Sequence, residues 1–258
     1  MKYTDYLENA DLIRSYTKKA AAPMISLLSS EPEIQFVALK NINLILQKRP
    51  NILDKETKMF FCNFNDPIYI KLEKLEALVR VADLKNIDAI LHELRDYAAE
   101  VDVEFVRKTV RAIGQCAVKL EKASEKCVQL LWELLKSKVP FVVQEAVVVI
   151  RDIFRRYPGK YEAILKDICD HLKMLEEPEA KASIIWIIGE YAESIENAED
   201  ILAEYAKGFK DEQALVQLHL LTAYVKLYLT RPQSCESEIQ SLLQVATTEC
   251  ENPDLRDR

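Results

Sequence analysis

Glycine is scarce in this chain, 4 of 258 residues, and that scarcity excludes much before any pattern is read. A sheet protein needs turn residues, and a dinucleotide site needs a Gly-rich strand-to-helix turn; neither is available. There is no P-loop and no G-x-S-x-G elbow. Six cysteines, Cys62, Cys116, Cys127, Cys169, Cys235 and Cys250, include no C-x-x-C pair and read as reduced packing residues. The three histidines, His92, His171 and His219, lack H-E-x-x-H or Cys-His ligand spacing. Adjacent carboxylates such as Glu176 and Glu177, or Glu199 and Asp200, point about 100° apart on a helix and make no acid–base pair. These absences predict no enzyme, no metal and no cofactor. With no signal peptide and no apolar run of about 18 residues, the expected setting is cytosolic.

Positive charge is also in deficit, 35 basic against 42 acidic residues for a net charge of -7, which argues against a general grip on nucleic acid. Residues 177–258 carry 16 acids and 7 bases, so one end is acidic and reads as a solvated surface. The basic run RRYPGK, with Arg155, Arg156 and Lys160, is the best local candidate for anion or headgroup contact. A solvated helix end, whose cations favour the C-terminal dipole, outweighs that reading.

What the chain does have is apolar and charged residues in quantity, 49% and 30%, arranged with helical periodicity. In KCVQLLWELLK, Val128, Leu131, Trp132 and Leu135 fall three and four apart and form one face; Trp132 there reads as core or inter-repeat packing. Segments begin near acidic or Asn-Pro steps at Glu31, Asn65, Asp102, Val139, Glu177 and Asp211, and a seventh opens with NPDLRDR. Anchored on Val37, Ile70, Val106, Val143, Ala180 and Val216, they recur every 33, 36, 37, 37 and 36 residues, a helical-hairpin period.

The residue after the anchor is often long and polar, as in Lys71, Arg107, Gln144, Lys181 and Gln217. The seventh residue after it is always apolar, Leu44, Ala77, Ile113, Ile150, Ile187 or Ala223. Lys74 is a misfit where other copies mostly place an aliphatic side chain. Partner helices are expected to centre near Leu27, Phe60, Leu91, Leu131, Ile168, Ala203 and Leu242. Pro32, Pro67, Pro140, Pro178 and Pro253 mark helix starts, and Pro50, Pro158 and Pro232 helix ends. Gly114 and Gly189 interrupt two second helices and suggest close helix approach.

The expected fold is therefore all-α: an alpha-alpha superhelix, a HEAT/armadillo-like solenoid of about six full helix pairs and the start of a seventh. Residues 1–258 form one solenoid segment whose copies bury continuous stripes on stacking. The seventh copy breaks off without a polar capping helix, so the segment is expected to belong to a longer solenoid. Met1 is of uncertain origin.

The stretches EPEIQFVALKNINLILQKRP, NDPIYIKLEKLEALVRVA, EVDVEFVRKTVRAIGQCAVKLE, VVQEAVVVIRDIFRRYP, EPEAKASIIWIIGEYAE and NPDLRDR closely resemble the middle of the beta-adaptin trunk, in loops as well as in apolar columns. The resemblance implies a non-catalytic scaffold subunit of a heterotetrameric clathrin adaptor complex in vesicle-mediated protein transport. Its implied partners are a medium chain, a small chain and a second large adaptin, with clathrin bound through a hinge and appendage absent here. It implies peripheral membrane association, at Golgi or endosomal coated vesicles or at plasma-membrane coated pits. Which adaptor complex stays open. By motif, the resemblance also assigns Val101, the leading Val of EVDV, and Phe141, before VVQEA where the family often has Tyr, to covering the medium chain's pocket for tyrosine-based signals. Ordinary packing is the alternative for both. The alternative for the whole chain is a HEAT scaffold of another system, a coatomer subunit or a nuclear-import carrier.

Overall fold

The computed structural model describes residues 10–161, 165, 168, 175–248 and 252–257. Met1, Cys169, His171 and Cys250 lie outside the described residues. Among the described residues all regular structure is helical. The α-helices are α1 (Ala10–Leu27), α2 (Pro32–Lys48), α3 (Ile68–Val81), α4 (Ile87–Tyr97), α5 (Val103–Lys119), α6 (Ser124–Leu135), α7 (Pro140–Arg156), α8 (Pro178–Glu190), α9 (Ala198–Ala206), α10 (Ala214–Thr230), α11 (Pro232–Thr248) and α12 (Pro253–Asp257). The chain divides into two compact units, Met1–Leu130 and Leu131–Arg258.

Local chemistry accounts for the helix starts. Proline opens α2, α7 and α8, where a missing N–H costs nothing, and Asp102 caps α5 by accepting from Phe105 N at 2.8 Å. Pro50 and Pro232 close one helix and open the next element at once. Two expected centres need correction. Leu27 is the last residue of α1, and Phe60 ends a 3₁₀ run, Pro50–Phe60, in which Leu53 and Glu56 leave helical angles. Those two breaks interrupt the run of consecutive helical residues that an α-helix needs to propagate. The other expected centres, Leu91, Leu131, Ile168, Ala203 and Leu242, fall in helix.

The repeat register also needs one correction. Ile70, Val106, Val143, Ala180 and Val216 are all buried, but Val37 is 59% exposed and Leu44 61%. The helix caps set a different register: the anchors lie three or four residues after Pro67, Asp102, Val139, Glu177 and Gln213, and the same offset from Glu31 falls on Ile34, itself 49% exposed. With Ile34 as anchor the odd first spacing of 33 becomes 36, matching the rest. Matching by side-chain type favours Val37; the cap sets the register. Ile34, Val37 and Leu44 then form an open stripe on α2, and a groove of about 540 Å³ runs along it between Leu27 and Ile45.

The polar residue after each anchor has a structural role, tying its helix to a neighbouring loop. Lys71 Nζ donates to Glu100 Oε2 at 2.6 Å in the first unit, and Lys181 Nζ to Glu212 Oε1 at 2.5 Å in the second. Gln144 Oε1 accepts from Glu177 N at 3.1 Å. Gln217 and Gln35 reach back instead, donating to Phe209 O and Leu28 O. The corrected register places Gln35 in this column, where Ala38 would otherwise fall. Lys119, at the end of α5, donates to Val79 O and Arg80 O at 3.0 and 2.7 Å and so satisfies carbonyls left open at the end of α3.

Close approach is real at Gly189. A Cβ built there would lie 2.7 Å from both Cα and Cβ of Ala223, so α8 and α10 pack backbone to backbone. Helix propensity alone would reward Gly189→Ala by about 1 kcal/mol, but the neighbour is a helix backbone that cannot step aside. Gly189→Ala is therefore expected to destabilise the chain by about 1–3 kcal/mol, read as a lower urea midpoint. Ala223→Gly in the same chain should recover part of it.

Candidate partner-binding edge

In the first unit, the segment between the 3₁₀ run and α3 is held rigidly. Asn63 N donates to Asp66 Oδ2 at 2.8 Å, Asp66 N returns to Asn63 O at 3.1 Å, and Cys62 N donates to the Tyr97 hydroxyl at 2.7 Å. Lys74, whose side chain is 3% exposed, donates to Asp66 Oδ2 at 2.6 Å and to Phe61 O at 3.3 Å. The misfit in the repeat is thus the cation that staples this loop. Burial alone would raise the Asp66 carboxyl, but the bond from Lys74 and the Asn63 backbone N–H outweigh it and hold it below the ordinary value. Phe64, at the tip, is 89% exposed.

The corresponding loop of the next repeat, before α5, carries Val101 immediately ahead of the cap Asp102, and Val101 is 95% exposed. Lys71 joins the two loops. Its ammonium pairs with Glu100 and lies 5.8 Å from the Phe64 ring centroid and 5.2 Å from that of Phe105. Phe141 is the second residue of α7, half-buried, in the other unit. It follows Lys138, whose φ of 57° puts a non-glycine residue in the left-handed region. Val101 and Phe141 belong to different units.

The basic run faces rings as much as solvent. The Arg155 guanidinium sits 4.6 Å from the Trp186 ring centroid, with Lys226 5.5 Å from the same centroid. Burial and the neighbouring Arg151 lower the Arg155 pKa. Lys160 lies over Tyr157 and Tyr161, at 5.3 and 5.5 Å, and Arg156 is exposed. Trp132, expected in core or inter-repeat packing, is half-buried and has Lys136 over its ring at 4.3 Å.

Other chemistry-bearing residues are placed apart. Cys62, Cys116, Cys127 and Cys235 are free thiols. Burial pushes Cys62, Cys116 and Cys127 up to about 12, the opposite of a reactive thiolate. His92 is exposed beside Asp96. Among the described residues no cluster of three His, Cys, Asp or Glu side chains fits a metal ion, and no helix is long and apolar enough to cross a membrane. The carboxylates of Glu199 and Glu212 pair with Arg231 and Lys181. Sequence reasoning missed Phe64. Its signal was an aromatic residue alone in the polar loop N-F-N-D.

Paired helices within each unit, with apolar side chains raised on their loops, define a fold of the α-solenoid class. Residues 5–258 match the family model for the adaptin N terminal region, and the chain belongs to that family. It is 57% identical over 258 residues to the AP-1 complex subunit beta of Dictyostelium discoideum, and 54% identical over 259 to the AP-1 complex subunit beta-1 of Homo sapiens, covering 100% of this chain in each case. The resemblance to beta adaptins therefore holds along the whole chain, which spans 27% of the length of either relative. A homology model of the full-length AP-3 complex in an intermediate open conformation contains a chain with the same fold, at a TM-score of 0.72 and 21% identity, covering 98% of this chain and 46% of that one.

Proposed function

We propose that this chain is a length of the trunk of an adaptor-complex beta subunit, a non-catalytic scaffold acting in clathrin-dependent vesicle transport. The observation that carries the reading is identity above one half to AP-1 beta subunits over the full chain, loops included; a coatomer subunit or nuclear-import carrier would share apolar columns without sharing loops. In this reading the chain belongs to a longer trunk, and the open stripe Ile34, Val37 and Leu44 receives a preceding helix pair, as the anchors of later copies are covered. Hinge and appendage, and with them clathrin binding, lie elsewhere in the protein.

Its partners are the medium chain, the small chain and a second large adaptin, and the complex acts in the cytoplasm on coated membranes of the Golgi, endosomes or cell surface. Val101 and Phe141 cover the medium chain's pocket for tyrosine-based signals. The nearly complete exposure of Val101 supports this, because packing within its own unit does not explain an apolar side chain placed in solvent. Arg155, Arg156 and Lys160 are a weaker second contact, for anions or headgroups, since two of the three cations already lie over rings. The test is affinity purification of the full-length protein from its own cells. Recovery of medium, small and second large adaptor chains is expected; recovery of a nuclear-import GTPase with no adaptor chain would refute the reading.

A further inference from the structure

Among the described residues, the two most exposed large apolar side chains are Val101 and Phe64. They stand on the loops that open α3 and α5, in successive repeats of one unit, and a single side chain reaches both loops: Lys71 pairs with Glu100, next to Val101, and lies over the Phe64 ring. The geometry points to Phe64 as a second partner-contact residue on the edge that carries Val101, with the medium chain of the adaptor complex as its occupant. The inference rests on the reading of Val101 given above and extends that contact by one repeat.

Three observations select this occupant. The loop is pre-organised, because Asn63, Asp66, Lys74, Cys62 and Tyr97 fix it by hydrogen bonds on both sides of Phe64. A rigid aromatic needs little ordering on binding, which is how interface anchors gain affinity. The charges beneath it are internally matched, Lys71 with Glu100 and Lys74 with Asp66. An anionic membrane would be recognised by cations free to meet headgroups, whereas a neutralised surface with two raised apolar side chains fits an apolar protein face. Continuity is the third: a partner surface that covers Val101 meets the adjoining loop held by the same lysine.

The test compares Phe64→Ser, Phe64→Trp and Val101→Ser in the full-length chain, each reconstituted with its medium, small and second large chains. Binding of a tyrosine-motif peptide to each complex, and of each complex to phosphatidylserine vesicles, is measured. Because Phe64 is outside the core, Phe64→Ser is expected to assemble normally and to raise the apparent peptide affinity by about threefold or more as the closed state is released. Phe64→Trp should keep wild-type affinity. A gain for Val101→Ser with none for Phe64→Ser would overturn this inference and leave the Val101 reading standing. No gain in either would overturn both. Loss of vesicle binding in Phe64→Ser at unchanged peptide affinity would assign the residue to a membrane and overturn the medium-chain contact.

Discussion

Asp66→Ala is expected to lower the stability of the chain by about 3–5 kcal/mol, the usual effect of leaving a buried charge without its partner. The Lys74 side chain is almost wholly enclosed, and after the substitution its ammonium would keep only the Phe61 carbonyl at 3.3 Å. The same change removes the acceptor that holds Asn63 N. Urea unfolding followed by circular dichroism measures the loss. Lys74→Met combined with Asp66→Ala should recover part of it, because no unpaired charge is then left buried. If Asp66→Ala alone were neutral, the ion pair would be a surface contact and the account of this loop would be wrong.

The same pair fixes a pH dependence. Asp66 has a folded-state pKa below its unfolded value, so its stabilisation is fully present above about pH 4 and is lost as pH falls through the folded value. Between about pH 4 and 2 the wild type should lose more stability than Asp66→Asn, whose side chain does not titrate. Equal losses would contradict the sign.

The second large effect concerns the proposed cover over the medium chain's pocket. Val101→Ser and Phe141→Ser together, in a reconstituted core shown independently to be closed, are expected to raise the apparent affinity for a tyrosine-motif peptide. Fully burying a valine or phenylalanine side chain contributes roughly 1.5–3 kcal/mol each, so losing both weakens closure. If the open state is about a tenth of the population, full release gives about a tenfold gain, the reciprocal of that fraction. Isothermal titration of the peptide against both cores reads it. No gain would remove the pocket-covering role from both residues.

Much of the fold is legible because a repeat writes the same constraint six times. The apolar column at Ala77, Ile113, Ile150, Ile187 and Ala223 marks buried faces, and all five are buried. Where a copy stands alone, side-chain type misleads. Val37 resembles the other anchors in type, but the cap at Glu31 places Ile34 in that register. Lys74 is legible as a misfit and not as a staple, because its partner Asp66 lies in a loop whose geometry no periodicity specifies. Gly189 is legible as a close approach, and Ala223 is what it approaches. The candidate site is the least legible part. Exposure of Val101 and Phe64 depends on where two loops turn, and the sequence records only an apolar residue among polar ones. Family membership, by contrast, is written in loops and apolar columns together.

If loops on this chain's edge are covered by an adaptor partner, their backbone amides should exchange slowly while that partner is bound. Hydrogen–deuterium exchange of the full-length chain, alone and in the assembled closed core, measures this directly. The account predicts slowed exchange at residues 99–103 and 137–142 on assembly, reversed by opening the core with a tyrosine-motif peptide. Unchanged exchange at both loops in a complex that has formed and closed would contradict it.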